Sequence, residues 1–206
     1  MRIMAVFTLM LACISGCASA GAKVDFRLTH KPIGPAIVGF GACMNPYLYA
    51  YPNTKEINAR QADDLERKVI ALHPQLVRIF YLQEWWDKDT DQGTAKGHPG
   101  MRDSLIRTIR LAQKAGAKVL LQFWYDPGHY EHPDLVARKF AETIAELRSK
   151  YGLASVQFAS IQNEPNENHK DITEAHYIDV YRDLDRALKE LHIRDQVQII
   201  GGDLLE

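Results

Sequence analysis

Five short apolar runs recur along the chain at an even interval, and that interval limits the fold more than any other feature. The runs are Ala36-Ile37-Val38-Gly39-Phe40-Gly41, Leu76-Val77-Arg78-Ile79-Phe80-Tyr81-Leu82, Lys118-Val119-Leu120-Leu121-Gln122-Phe123-Trp124, Val156-Gln157-Phe158-Ala159-Ser160-Ile161-Gln162 and Val197-Gln198-Ile199-Ile200-Gly201. Their centres at Ile37, Val77, Val119, Phe158 and Val197 stand about 40 residues apart, and each run reads as a strand. Between them apolar residues fall at helical spacing: Ala62, Leu65, Val69 and Leu72; Leu105, Ile109, Ala112 and Ala115; Val136, Phe140, Ile144, Leu147 and Tyr151; Ile178, Tyr181, Leu184, Leu188 and Leu191. Strands alternating with amphipathic helices predict an α/β chain with a parallel sheet and right-handed crossovers. Two architectures satisfy that pattern, the doubly wound sheet and the (β/α)8 barrel. Gly39-Phe40-Gly41 is followed by Ala42-Cys43-Met44, so the third glycine of the dinucleotide fingerprint is missing, and no phosphate loop occurs. The expected fold class is therefore the (β/α)8 TIM barrel, truncated after about the fifth strand.

Charge and composition remove other classes. With 25 Lys+Arg against 26 Asp+Glu the net charge is −1, so no basic excess exists to neutralise phosphates, and no nucleic-acid partner is expected. A hydrophobic fraction of 46% is too high for a disordered chain. Residues 1–20 carry Arg2, an apolar run from Ile3 to Ile14 broken only by Thr8, and then small residues, the pattern of a secretory leader too short to span a membrane. Two exits compete. Ala18-Ser19-Ala20 fits cleavage before Gly21, while Ile14-Ser15-Gly16-Cys17 looks like a bacterial lipobox that would lipidate Cys17. The second is preferred, and it supplies the only membrane attachment expected. Residues 21–35 are a lead-in, and residues 36–206 form the partial catalytic domain. Export places the chain in the bacterial cell envelope, the periplasm or outside the cell. Cys43 is the only ordinary thiol left in the mature chain, so no internal disulfide is expected, and no Cys/His cluster has metal-ligand spacing.

In a (β/α)8 barrel the working residues lie at the C-terminal ends of the strands. Those ends read Cys43-Met44-Asn45-Pro46-Tyr47, Gln83-Glu84-Trp85-Trp86-Asp87, Trp124-Tyr125-Asp126-Pro127 and Asn163-Glu164-Pro165-Asn166-Glu167. Aromatic rings beside carboxylates suit sugars, whose ring faces are apolar and whose rims are polar. Tyr47, Trp85, Trp86, Trp124 and Tyr125 are thus candidate carbohydrate-binding residues, against the alternative that the tryptophans cap the core.

Ser160-Ile161-Gln162-Asn163-Glu164-Pro165-Asn166 resembles the strand-four signature of the clan A glycoside hydrolases, which are retaining (β/α)8 enzymes. Arg78 in the second strand matches an arginine common in that clan, and Gly39-Phe40-Gly41 adds a looser match. The resemblance implies that Glu164 is the general acid/base, that Asn163 binds the sugar 2-hydroxyl, and that Arg78 lies beneath the site and keeps the nucleophile charged. It implies no cofactor and no metal. In the clan the nucleophile is a glutamate ending strand seven, and eight units of about 40 residues would need roughly 320, against about 250 for a typical barrel. The chain is therefore expected to be an N-terminal part that carries the acid/base but not the nucleophile, inactive alone. The alternatives are a non-catalytic glycan-binding surface lipoprotein and an unrelated TIM-barrel enzyme.

Overall fold

The computed structural model describes residues 40–50, 53–87, 100–124, 131–165 and 173–201. The chain divides into Met1–Ala36 and Ile37–Glu206, and all described residues fall in the second unit. Its strands are β1 (Gly41–Met44), β2 (Leu76–Tyr81), β3 (Lys118–Phe123), β4 (Val156–Ser160) and β5 (Gln198–Ile199). A 3-10 turn at Pro46–Tyr49 follows β1. The helices are α1 (Asn53–Glu56), α2 (Ala59–Leu72), α3 (Gln83–Asp87), α4 (Met101–Lys114), α5 (Pro133–Ser149) and α6 (Glu174–Glu190).

The five strands are all parallel and lie in the order β1-β2-β3-β4-β5. A doubly wound sheet reverses its order at a switch point, and the described strands contain no reversal. Right-handed crossovers between strands taken in sequence order put successive helices on one face. The helices accordingly meet in chain order. Arg107 of α4 pairs with Glu66 of α2 at 2.8 Å, Arg102 of α4 pairs with Glu146 of α5 at 3.0 Å, and α5 packs along α6.

The core lies between this helix layer and the sheet. Val77, Ile79 and Tyr81 from β2 and Val119, Leu121 and Phe123 from β3 meet Leu105, Ile109, Phe140, Ile144, Leu147, Leu184 and Leu188 from the helices. At its centre Tyr81, Phe123 and Phe140 have ring centroids 5.2–5.3 Å apart. The Tyr81 hydroxyl is satisfied there by Gln83 Oε1 at 2.7 Å and Thr143 Oγ1 at 3.0 Å. Each large side chain buried this way contributes about 1.5–3 kcal/mol relative to exposure.

Local signals explain the helix ends. Asn58 opens α2 with a capping box: Asn58 Oδ1 accepts from Gln61 N, and Gln61 Oε1 accepts from Asn58 N, both at 3.0 Å. Thr173 caps α6 by accepting from His176 N at 3.2 Å, and Pro133 opens α5 at a position where no backbone N–H is needed. Asn58→Ala removes one arm of the box, and we expect a loss of about 1 kcal/mol, read as a lower urea midpoint with unchanged slope.

The first strand lies further along the chain than the sequence indicates. Of the expected run 36–41, residues 36–39 lie outside the described residues, and the paired strand is Gly41–Met44, in register with Leu76–Ile79. Hydropathy does not mark it, because Gly41, Ala42 and Cys43 are exposed at the sheet edge. Backbone approach does: a Cβ at position 41 would stand 2.9 Å from the Leu76 carbonyl oxygen. At the other edge β5 is two residues long, shorter than the expected Val197–Gly201.

Candidate active site

Alternation along each strand sends neighbouring side chains to opposite faces. On the face away from the core the register sets Cys43, Arg78, Leu120, Phe158 and Gln198 side by side across all five strands. Phe80 and Gln122 follow one step toward the C-terminal end, again as register partners. This face mixes cationic, aromatic and amide groups, unlike the apolar helix-covered face.

Arg78, Phe80 and Trp124 form a ladder along it. The Arg78 guanidinium lies 4.8 Å from the Phe80 ring centroid, and Phe80 meets Trp124 at 4.8 Å with the planes tilted by 38°. Trp124 is 40% exposed, so an indole surface remains open to solvent at the strand ends. Phe80 was not among the sequence candidates. Its position two residues after Arg78 on one strand is the signal that places it on the same face.

The segment after β4 is tied to the end of β3 by side-chain amides. Gln122 Nε2 donates to Ser160 Oγ at 3.0 Å and to the Gln162 carbonyl at 2.8 Å. Gln162 Nε2 donates to the Trp124 carbonyl at 3.2 Å and to the Asn163 carbonyl at 2.9 Å. The Ser160 hydroxyl also meets the Tyr181 hydroxyl at 3.1 Å, and Tyr181 OH accepts from Ile161 N at 3.3 Å. Asn163 is buried, and Asn163 Oδ1 has no hydrogen-bond partner among the described residues. Glu164 is half-buried with φ of 44°, in the left-handed region. The other non-glycine residues with positive φ among those described are His73 and His192, which stop α2 and α6, where this conformation is routine. Glu164 stops no helix, and it precedes Pro165, a position that favours extended backbone.

Trp85 and Trp86 do not join this site. The chain turns into α3 directly after β2, and both indoles point into the helix layer. Trp85 is 1% exposed, packed with Ala50 and Met101 and met edge-on by Tyr47 at 5.4 Å. Trp86 has the Arg102 guanidinium 4.1 Å from its ring centroid, Tyr151 edge-on at 6.0 Å, and Nε1 donating to Glu146 Oε2 at 3.0 Å. Their ring faces are occupied by protein, which corrects the expectation that they stack on sugar. Tyr47 is half-buried against Trp85, and burial, then the nearby Glu84 carboxylate, push its hydroxyl above the usual range. Tyr125 and Cys17 lie outside the described residues.

Burial pushes the Glu146 carboxyl up, but Lys150, Arg102 and the Trp86 N–H outweigh it and hold the group below its ordinary 4.5. A carboxyl lowered in the folded state stabilises fully above its unfolded value and loses that contribution as pH falls through the folded value. Glu146→Gln should therefore cost about 1 kcal/mol near neutrality, and the difference from the parent should vanish in acid. Urea midpoints at neutral and strongly acidic pH check this.

Among the described residues no group of three His, Cys, Asp or Glu side chains could hold a metal ion, and no helix is long and apolar enough to cross a membrane. No family model, curated protein or solved structure matches this chain.

Proposed function

We propose that residues 36–206 form the first units of a (β/α)8 barrel and carry the acid/base half of a retaining glycoside hydrolase acting on O-glycosidic bonds of a polysaccharide or oligosaccharide. The sheet order supports the barrel, because strands laid down in sequence order with helices meeting on one side describe an arc without a switch point. The remaining strands and the nucleophilic carboxylate come from outside the described residues. The leader exports the enzyme, and lipidation of Cys17 anchors it to the envelope.

In this reading Trp124 offers its open indole surface to a sugar ring, and Asn163 bonds the 2-hydroxyl. Glu164 protonates the glycosidic oxygen as the nucleophile attacks, then takes a proton from the water that releases the glycosyl-enzyme. The two carboxyls must stand about 5–5.5 Å apart for that double displacement. Arg78 lies below, where its charge favours an ionised nucleophile.

The observation that carries this reading is the backbone of Glu164. A side-chain-bearing residue in left-handed conformation, directly ahead of a proline that is itself the first helical residue, is strained. Such strain persists where the surroundings over-determine it, and it concentrates at sites that use it. The test is the stereochemistry of the full-length enzyme's product. Proton NMR during hydrolysis should show the anomeric configuration retained at first, before mutarotation. An inverted product would remove the double displacement, and binding without hydrolysis would favour a glycan-binding lipoprotein.

A further inference from the structure

The register between β3 and β4 ends at Gln122 and Ser160, four residues before Glu164. Two glutamine side chains replace the missing ladder. Gln122 Nε2 holds the carbonyl of the peptide joining residues 162 and 163, and Gln162 Nε2 holds the carbonyl of the peptide joining 163 and 164. The second of these peptides sets φ at Glu164, since φ is the rotation between that peptide plane and the Glu164 Cα. The other proton on Gln162 Nε2 goes to the Trp124 carbonyl at 3.2 Å, so one side chain ties the exposed indole and Glu164 to a common point.

We infer that Gln162 is the positioning residue that holds Glu164 in its left-handed conformation and fixes it relative to Trp124, with Gln122 supporting the preceding peptide. Its meaning for catalysis rests on the glycosidase reading; the conformational claim does not.

The unused end of Gln162 favours this role over plain packing. The side chain is fully buried, and its Oε1 has no hydrogen-bond partner among the described residues. A buried amide oxygen left unpaired opposes folding. An apolar side chain of the same length would avoid that cost, so what Gln162 contributes is its two donors, both spent on backbone carbonyls at the strand ends. Neither carbonyl has a described backbone donor in its place.

The experiment uses Gln162→Met and Gln162→Glu in the 206-residue chain, with the Glu164 Cα, Cβ and Hα resonances read by NMR and the fold followed by circular dichroism. Gln162→Met keeps length and loses both donors. With the fold retained, the Glu164 shifts should leave left-handed values for extended ones, as the residue before a proline prefers. Gln162→Glu is expected to show the same displacement when ionised, because a carboxylate donates nothing. Protonation in acid returns one O–H donor, so the parental Glu164 shifts should return through a single titration that the parent chain lacks. Unchanged Glu164 shifts in folded Gln162→Met overturn the inference. Should Gln162→Met not fold, Gln162→Glu decides alone: Glu164 shifts that ignore the carboxyl's titration overturn it equally. No substrate enters the measurement, so a failure here is distinct from a failure of the glycosidase reading.

Discussion

Under the proposed glycosidase reading, Glu164→Gln is expected to lower hydrolysis of unactivated glycans by roughly 10²–10⁴-fold, the usual contribution of a positioned general acid or base. An aryl glycoside with a good leaving group needs no proton, so the variant should still form the glycosyl-enzyme from it. Turnover should then stall, because no base activates the incoming water. Azide needs no base, so adding it should restore release and give the glycosyl azide with retained configuration. The pattern follows from one carboxyl acting as acid first and base second. Hydrolysis of an unactivated glycan at the parental rate would show that Glu164 is not the acid/base.

The parts of this structure legible in the sequence are those decided by burial. Val77, Ile79 and Tyr81 alternate with half-buried neighbours, and Leu105, Ile109 and Ala112 recur at helical spacing, because both patterns face the same core. β1 escapes the hydropathy pattern because an edge strand of Gly41, Ala42 and Cys43 buries little, and its place depends on backbone approach to Leu76. α3 leaves no helical signal in the sequence because five residues are too few for a period to show. That short helix takes Trp85 and Trp86 into buried clusters, the core-capping alternative, rather than leaving them open at the strand end. The clamp around Glu164 was invisible for another reason. It depends on an irregularity in which β4 gains one residue, Gln157, between the partners of Val119 and Leu120. That shift brings Ser160 opposite Gln122, and no local pattern encodes it.

The tryptophans now separate into two roles that one pair of substitutions distinguishes. Trp85→Ala deletes an indole that is 1% exposed and packed among Tyr47, Ala50 and Met101, so it leaves a cavity. The expected cost is about 3–5 kcal/mol, a large part of the stability of an ordinary domain. Any change in glycan affinity should follow only from the unfolded fraction. Trp124→Ala removes a ring that is 40% exposed and touches Phe80 on one side, so stability should change by under about 1 kcal/mol. Under the proposed reading its effect falls on glycan binding. Truncating a central aromatic contact commonly costs more than about 1 kcal/mol, which is roughly a tenfold weaker dissociation constant. Titrating β-linked gluco-, xylo- and manno-oligosaccharides by calorimetry, beside urea unfolding of each variant, reads both effects. Because the indoles of Trp85 and Trp86 are enclosed, a saccharide that perturbs tryptophan emission in the parent should leave it unchanged in Trp124→Ala. If Trp85→Ala instead weakens binding while remaining folded, or Trp124→Ala binds as the parent does, the exposed face of the sheet is not where the sugar stacks.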